Sequence, residues 1–212
     1  MSDTSPTRIV SGKLVPAVGT WEFDPGHTIV GFEGKHLMVS RIRGTFKGFS
    51  GRLVVGEVPE QSRSELVIET ASVESGFKDR DEHLRSADWF NAVRYPTIRF
   101  ESGAIEHVSG GHWNATGTLT IREVSRPIAV DIEFDGGTTD PWGNQKIGAV
   151  ITSTVDRHDF GLTWNMPLKT GGLLVGKEVT LTVHVEAIRQ LSKRWGQQGS
   201  QQQDSAVVTV AR

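Results

Sequence analysis

The residues of this chain with the types and spacing to do chemistry lie in a few short stretches. Gly171-Gly172-Leu173-Leu174-Val175-Gly176-Lys177 has the G-x-x-x-x-G-K order of a loop whose amides cradle phosphate. Such a loop needs Ser or Thr next, to hold magnesium, and must open a helix whose N-terminus attracts the anion. Here Glu178 follows and residues 179–185 alternate as a strand, so a glycine-rich turn is expected. The run Asp79-Arg80-Asp81-Glu82-His83 brings carboxylates beside a histidine, and His158-Asp159 is a smaller version. Adjacent helical residues point in different directions, and no histidine pair has H-E-x-x-H or i, i+4 spacing, so no metal site is expected. Asp79 and Glu82 instead have the spacing of a capping box, with Asp81 at the positive end of the helix dipole. Gly48-Phe49-Ser50-Gly51 lacks the spacing of a nucleophile elbow, and Ser50 falls at a hairpin. With no cysteine there is no thiol nucleophile, thiolate metal site or disulfide framework. No catalytic residue, metal or cofactor is assigned.

The elements that must carry these stretches are mostly strands. Ile128, Val130, Ile132 and Phe134 alternate with Ala129, Asp131 and Glu133, and Val179, Leu181, Val183 and Val185 alternate with Thr180, Thr182 and His184. Period-two writing marks a strand with one buried face. Similar patterns cover residues 28–33, 42–49, 52–58, 65–70, 97–101, 113–121 and 146–155. Asp135-Gly136-Gly137 is expected to break one strand, and Asp140-Pro141-Trp142-Gly143 has the order of a type I turn. Gly34 to Val39 admits a short helical turn burying Leu37 and Met38. Gly44 and Gly48, on the inward face with Ile42 and Phe46, suit a tightly coiled sheet. The helix from Asp79, about two turns with Leu84 and Ala87 on its apolar face, is expected to lie over the sheet. The expectation is an all-β fold: an extended antiparallel barrel of about eight strands with one or two short helices, since closure removes exposed edges.

Length and charge narrow the function. A 212-residue chain accommodates one barrel domain. Residues 1–20 read as a polar N-terminal extension, 21–190 as the barrel, and 191–212 as a flexible, glutamine-rich tail. Lys and Arg (23) nearly balance Asp and Glu (25), so overall charge gives no reason to expect nucleic acid or an anionic membrane as the main partner. The N-terminus lacks the basic and apolar regions of a secretory signal, and no apolar run is long enough to span a bilayer, which points to the cytoplasm. The sequon Asn114-Ala115-Thr116 then has no consequence.

Several motifs, in order, resemble the YceI-like, polyisoprenoid-binding family. They are Trp21-x-x-Asp24-x-x-His27, Lys35-His36-Leu37-Met38-Val39, Gly44-x-Phe46, Arg80-Asp81-Glu82-His83-Leu84-Arg85, Tyr95-Pro96-Thr97-Ile98-x-Phe100, Gly117-x-Leu119-Thr120-Ile121, Arg126-Pro127, Asp140-Pro141-Trp142-Gly143 and Asp159-Phe160-Gly161. The resemblance implies a lipocalin-like barrel whose apolar pore takes an isoprenoid or similar long-chain amphiphile, with no established catalysis. It is compatible with a homodimer. Many members are exported, and this chain departs from them in having no signal segment. Glu123 and Val124 stand where many relatives have Gly and Val. Alternation supplies Phe32, Phe46, Ile68, Phe100, Val130 and Ile132 as inward ligand-binding candidates, with Trp89, Phe90, Phe160 and Trp164 near the mouth. The aromatics either plug the barrel ends or line an elongated cavity with the helix as a lid. His36, Arg80 and Asp81 are candidates to meet a polar head group, or to serve the fold. Two other classes stay open: an enzyme acting inside the barrel, and a filled barrel with a structural role.

Overall fold

The structure, a computed structural model, describes residues 5–169 and 171–190; the glutamine-rich segment 191–212 lies outside the described residues. In chain order the strands are β1 (Thr7–Val10), β2 (Lys13–Pro16), β3 (Gly19–Phe23), β4 (Ile29–His36), β5 (Ser40–Phe46), β6 (Phe49–Val55), β7 (Arg63–Glu69) and β8 (Val73–Glu74). Helix α1 (Lys78–Arg85) follows, then β9 (Thr97–Ser109), β10 (His112–Ile121), β11 (Val124–Thr139), β12 (Gln145–Asp156) and β13 (Val175–Gln190).

Strands β12, β11, β10, β9, β7, β6, β3 and β13 pair antiparallel in that order, and β13 pairs back onto β12 to close an eight-strand barrel. The closing strand is long because it serves two neighbours. Its end pairs with β3 through Ala187–Gln190, and its earlier part pairs with β4 between Val175 and His184. Strands β4, β5 and β8 thereby prolong the wall beyond β3, β6 and β7. Alternation produces the lumen directly: Val130 and Leu119 are buried, and Val179, Leu181 and Val183 pack against the core.

Three departures from the sequence reading have local causes. Strand β11 does not break at Asp135-Gly136-Gly137; a bulge between Phe134 and Gly136, with Gly136 at φ 109°, absorbs the irregularity and pairing continues to Thr139. Leu37 and Met38 form no helical turn. They are the central residues of a β-turn closed by the Val39 amide donating to the His36 carbonyl (3.2 Å), with φ of 52° and 63° and exposed side chains. The helix starts at Lys78 with Phe77 as its cap and no side-chain capping bond, so the Asp79–Glu82 capping box is not formed. Asp81 instead turns back and accepts from the Ser75 amide (2.7 Å) and hydroxyl, while Arg80 donates to the Ser75 carbonyl (2.6 Å). This clamp fastens the helix to the end of β8.

Within residues 5–18, expected to be an extension, β1 and β2 form a hairpin. Val15 and Ala17 are buried, and Arg8 donates to the carbonyls of Gly56 (2.6 Å) and Glu57 (2.8 Å). Val15 and Ala17, with the Arg8 hydrogen bonds, seat it against the barrel.

The opening Trp21, Asp24 and His27 are tied into one corner. Trp21 is fully buried and donates to the Ala17 carbonyl (2.9 Å). Asp24 lies 2.8 Å from His27 Nδ1, and Lys146 reaches both Asp24 (3.5 Å) and Glu186 (2.6 Å). Asp24, His27 and Glu186 thus converge, with the Lys146 ammonium as the cation between the carboxylates. The His27 hydrogen bond, then the Gly26 amide, hold the Asp24 carboxyl below its ordinary value of 3.8. A depressed folded-state value contributes stability that is present above 3.8 and is lost as pH falls through the lowered value. Asp24→Asn is therefore expected to lower Tm at neutral pH and to narrow the gap between Tm at pH 7 and at about pH 3. Melting curves across that range check it; an unchanged gap would contradict the corner's role.

Candidate functional site

The inward faces enclose an elongated apolar space in two parts. The larger cavity, about 440 Å³, runs under α1; the smaller, about 140 Å³, lies toward the β1–β2 hairpin. Phe23, Ser64, Phe100, Val130 and Ile151 line both, so these residues form the waist between them. A volume of this order is in the range of small-molecule sites. Ile128 and Val130 face the larger part and Ile132 and Phe134 the smaller, so one strand's alternation lines both in series.

Of the sequence candidates, Phe32, Phe46, Ile68, Trp89, Phe90, Phe100, Val130 and Trp164 line the larger cavity and Ile132 lines the smaller. Phe160 lines neither. It ends a 3₁₀ turn at Arg157–Phe160 and is buried in the core; Gly161, at φ 74°, reverses the chain and Leu162 takes the lining position. The aromatics are packed on one another rather than plugging the end. Phe32, Phe46 and Phe90 follow at centroid spacings of 5.6 and 5.7 Å, and Trp89 stands 5.8 Å from Trp164.

Glycines make room for the rings that line the lumen: Gly51 for Phe23, and Gly44 and Gly117 for two others. A Cβ on Gly44 would overlap the Phe32 ring, and one on Gly117 would overlap the Phe100 ring and approach the Glu101 carbonyl at 2.7 Å. Each missing side chain leaves room for a phenyl ring of the neighbouring strand. At Gly44 the Phe32 ring can yield and the Glu74 carbonyl stands off at 3.0 Å, whereas the Glu101 carbonyl is closer to Gly117 and cannot yield. Gly117→Ala is therefore expected to destabilise by about 1–3 kcal/mol and Gly44→Ala by less, read from urea midpoints at constant m-value.

Polar groups gather at one end. The exposed lining residues of the larger cavity are Lys35, Phe77 and Asp79, which mark where it meets solvent; His36, Arg80 and His83 lie just inside. His83 meets the Trp164 ring edge-on at 4.4 Å and its Nε2 is 3.2 Å from Asp88, so it serves the aromatic wall as well as the mouth. Deeper in is Arg157, only 2% exposed. Its guanidinium donates to the carbonyls of Gly176 (2.9 Å), Val175 (3.4 Å) and Leu162, and lies 5.0 Å from the centre of the Trp89 ring. Burial pushes its pKa below the ordinary value, yet a guanidinium remains charged at neutral pH. No motif marks Arg157, but it continues the inward register of Ser153 and Val155, and that alternation is the signal that would have found it. Asp81, by contrast, is occupied with Ser75 and does not line the cavity. The phosphate-loop spacing comes to nothing: Gly171 and Gly172 stand at φ 88° and 93° in a turn, and strand β13 begins at Val175.

A closed antiparallel barrel around an apolar cavity defines a lipocalin-like fold. The chain belongs to the YceI-like domain family, whose sequence profile matches residues 21–187. A UPF0312 protein of Ectopseudomonas mendocina is 32% identical over 185 residues, covering 87% of this chain and 94% of that protein. The Campylobacter jejuni YCEI protein superimposes with a TM-score of 0.64 at 30% identity, over 74% of this chain and 90% of that one. A polyisoprenoid binding domain from Saccharophagus degradans shares the fold, with a TM-score of 0.60 at 12% identity over 82% of this chain and 100% of that domain.

Proposed function

We propose that this protein binds a polyisoprenoid or similar long-chain amphiphile, holding the apolar chain in the two-part cavity and the polar end near Lys35, His36 and Arg80. The observation that carries the reading is the geometry of the cavity: elongated, apolar along its length, and polar at the end where it meets solvent. The polyisoprenoid-binding name of the Saccharophagus degradans domain supports the ligand class.

Apolar burial would supply the affinity. Each buried methylene is worth roughly 0.8 kcal/mol, so about sixteen carbons offer on the order of 12 kcal/mol before costs. Ordering a flexible chain and losing its translational freedom remove a large part of that. The reading makes the protein a carrier or store rather than a catalyst, because the side chains along the greater part of the cavity are hydrocarbon. Native mass spectrometry of protein purified without detergent tests it. A copurified lipid mass, or uptake of a polyprenol or fatty acid from a dilute solution, is the expected result. Failure to take up any of several lipid extracts would favour a filled barrel.

A further inference from the structure

The rim of the mouth has a surface that the cavity does not explain. The β4–β5 turn ends in Leu37, Met38 and Val39, all exposed, with Met38 61% and Val39 85% accessible. The Leu37 amide donates to the Leu174 carbonyl (2.8 Å), and Met38 approaches Gly172, so this tip is joined to the 166–174 turn with its exposed Met166 and Leu173. Phe77, which lines the mouth beside α1, is 59% accessible. These apolar side chains therefore project from the end at which the cavity opens.

Leu37 and Met38 also hold φ of 52° and 63°, a conformation that the turn demands and that Asn-Gly satisfies best. Bulky side chains at such positions are outliers that cost stability, so the fold gains nothing from their size.

The charge around this tip is one-sided. No Asp or Glu occurs from Gly34 to Gly56 or from Gly161 to Lys177, while Lys35, Arg41, Arg43 and Lys169 are exposed there. Arg41 and Arg43 share the single carboxylate of Glu33, and Lys35 and Lys169 have no ion pair among the described residues. On α1, Lys78 is paired with Glu82, and Asp79 is the acidic group nearest the mouth. The balanced net charge of the chain thus conceals a local cationic collar around apolar tips.

We propose that this rim docks the mouth onto the surface of an anionic phospholipid bilayer, with the Leu37–Val39 tip inserted at the headgroup–acyl boundary and Lys35, Arg41, Arg43 and Lys169 on the lipid phosphates. Apolar insertion beside basic residues is the combination by which proteins lie on a membrane without spanning it. The purpose of the contact, transfer of a lipid between bilayer and barrel, rests on the proposed function; the contact itself does not.

Vesicle co-sedimentation tests it, using phosphatidylcholine vesicles with and without phosphatidylglycerol. Binding is expected for the phosphatidylglycerol vesicles, to be weaker for phosphatidylcholine alone, and to fall as salt is raised from about 0.1 M to 1 M. The double variant Leu37→Asn/Met38→Gly should lose vesicle partitioning by about tenfold or more while its Tm is unchanged or raised, because the turn is relieved. Lys35→Gln/Lys169→Gln should weaken binding only to the anionic vesicles. Wild-type protein that stays in the supernatant, or a tip variant that sediments like wild type, would overturn the inference. Native mass spectrometry of the tip variant separates the two readings: retained lipid with lost vesicle binding supports both, and vesicle binding by a protein that never carries lipid removes the proposed function alone.

Discussion

Phe100→Arg is expected to abolish lipid uptake in a barrel that still folds. Phe100 lines both parts of the cavity, so a guanidinium there would stand in the waist that Phe23 and Val130 also line. A long-chain ligand threaded past it would strip the charge of its remaining water, and burying an ion unpaired costs several kcal/mol. That penalty offsets most of what a bound chain has left after ordering, so uptake should drop by about a hundredfold or more. Arg at a buried site also threatens folding, and Val183→Trp serves as the companion, since it fills the lumen without a charge. Circular dichroism and urea titration establish that each variant is folded; native mass spectrometry then reads the ligand. A folded Phe100→Arg protein with unchanged uptake would defeat the assignment of the waist.

The second large effect concerns Arg157→Met. The wild-type guanidinium satisfies three carbonyls from two segments, Leu162 on one side and Val175 and Gly176 on the other, and packs on Trp89. Met fills similar volume without donors, leaving the Leu162 and Gly176 carbonyls to find other partners at about 1 kcal/mol or more each and losing the packing on Trp89, while the Val175 carbonyl keeps the Asn165 side-chain amide (2.7 Å). The expected loss is about 3 kcal/mol of stability, measured by urea denaturation. Arg157→Lys should recover less than half of it, because one ammonium cannot reproduce the planar fork. Equal stability of the Met variant would mean that the charge, not its hydrogen bonds, explains the residue.

Strands with one wet and one dry face were legible because burial imposes period two, and the run from Ile128 to Phe134 shows it without interruption. The eight-strand barrel and the family followed from such runs and from the motifs in order. Residues governed by tertiary contacts were less legible. Asp79 and Glu82 have capping spacing, but the cap falls two residues earlier, at Phe77, and Asp81 is clamped to Ser75. Gly136 is written like a stop and acts as a bulge, since only the register of β12 distinguishes the two. Val15 and Ala17 lie in a short stretch broken by prolines and glycine, and only the barrel end they cover makes them core. In the lumen, alternation identified the wall but not where the chain leaves it, which is why Phe160 gives way to Leu162.

The β1–β2 hairpin bears on the direction in which a ligand would enter under the proposed function. Pro16 and Val15 line the smaller cavity, and among the described residues no lining residue of that part is exposed, whereas the opposite end reaches solvent at Lys35, Phe77 and Asp79. On the proposed function, the smaller cavity is the inner end of the site and the rim at Lys35, Phe77 and Asp79 its entrance. A chain molecule entering tail first by that rim would leave by the same route, and the carbons held in the smaller part would have to come back past the waist at Phe100. Residence time should therefore lengthen with each added carbon until the site is full, and beyond that length the surplus hangs outside and adds nothing.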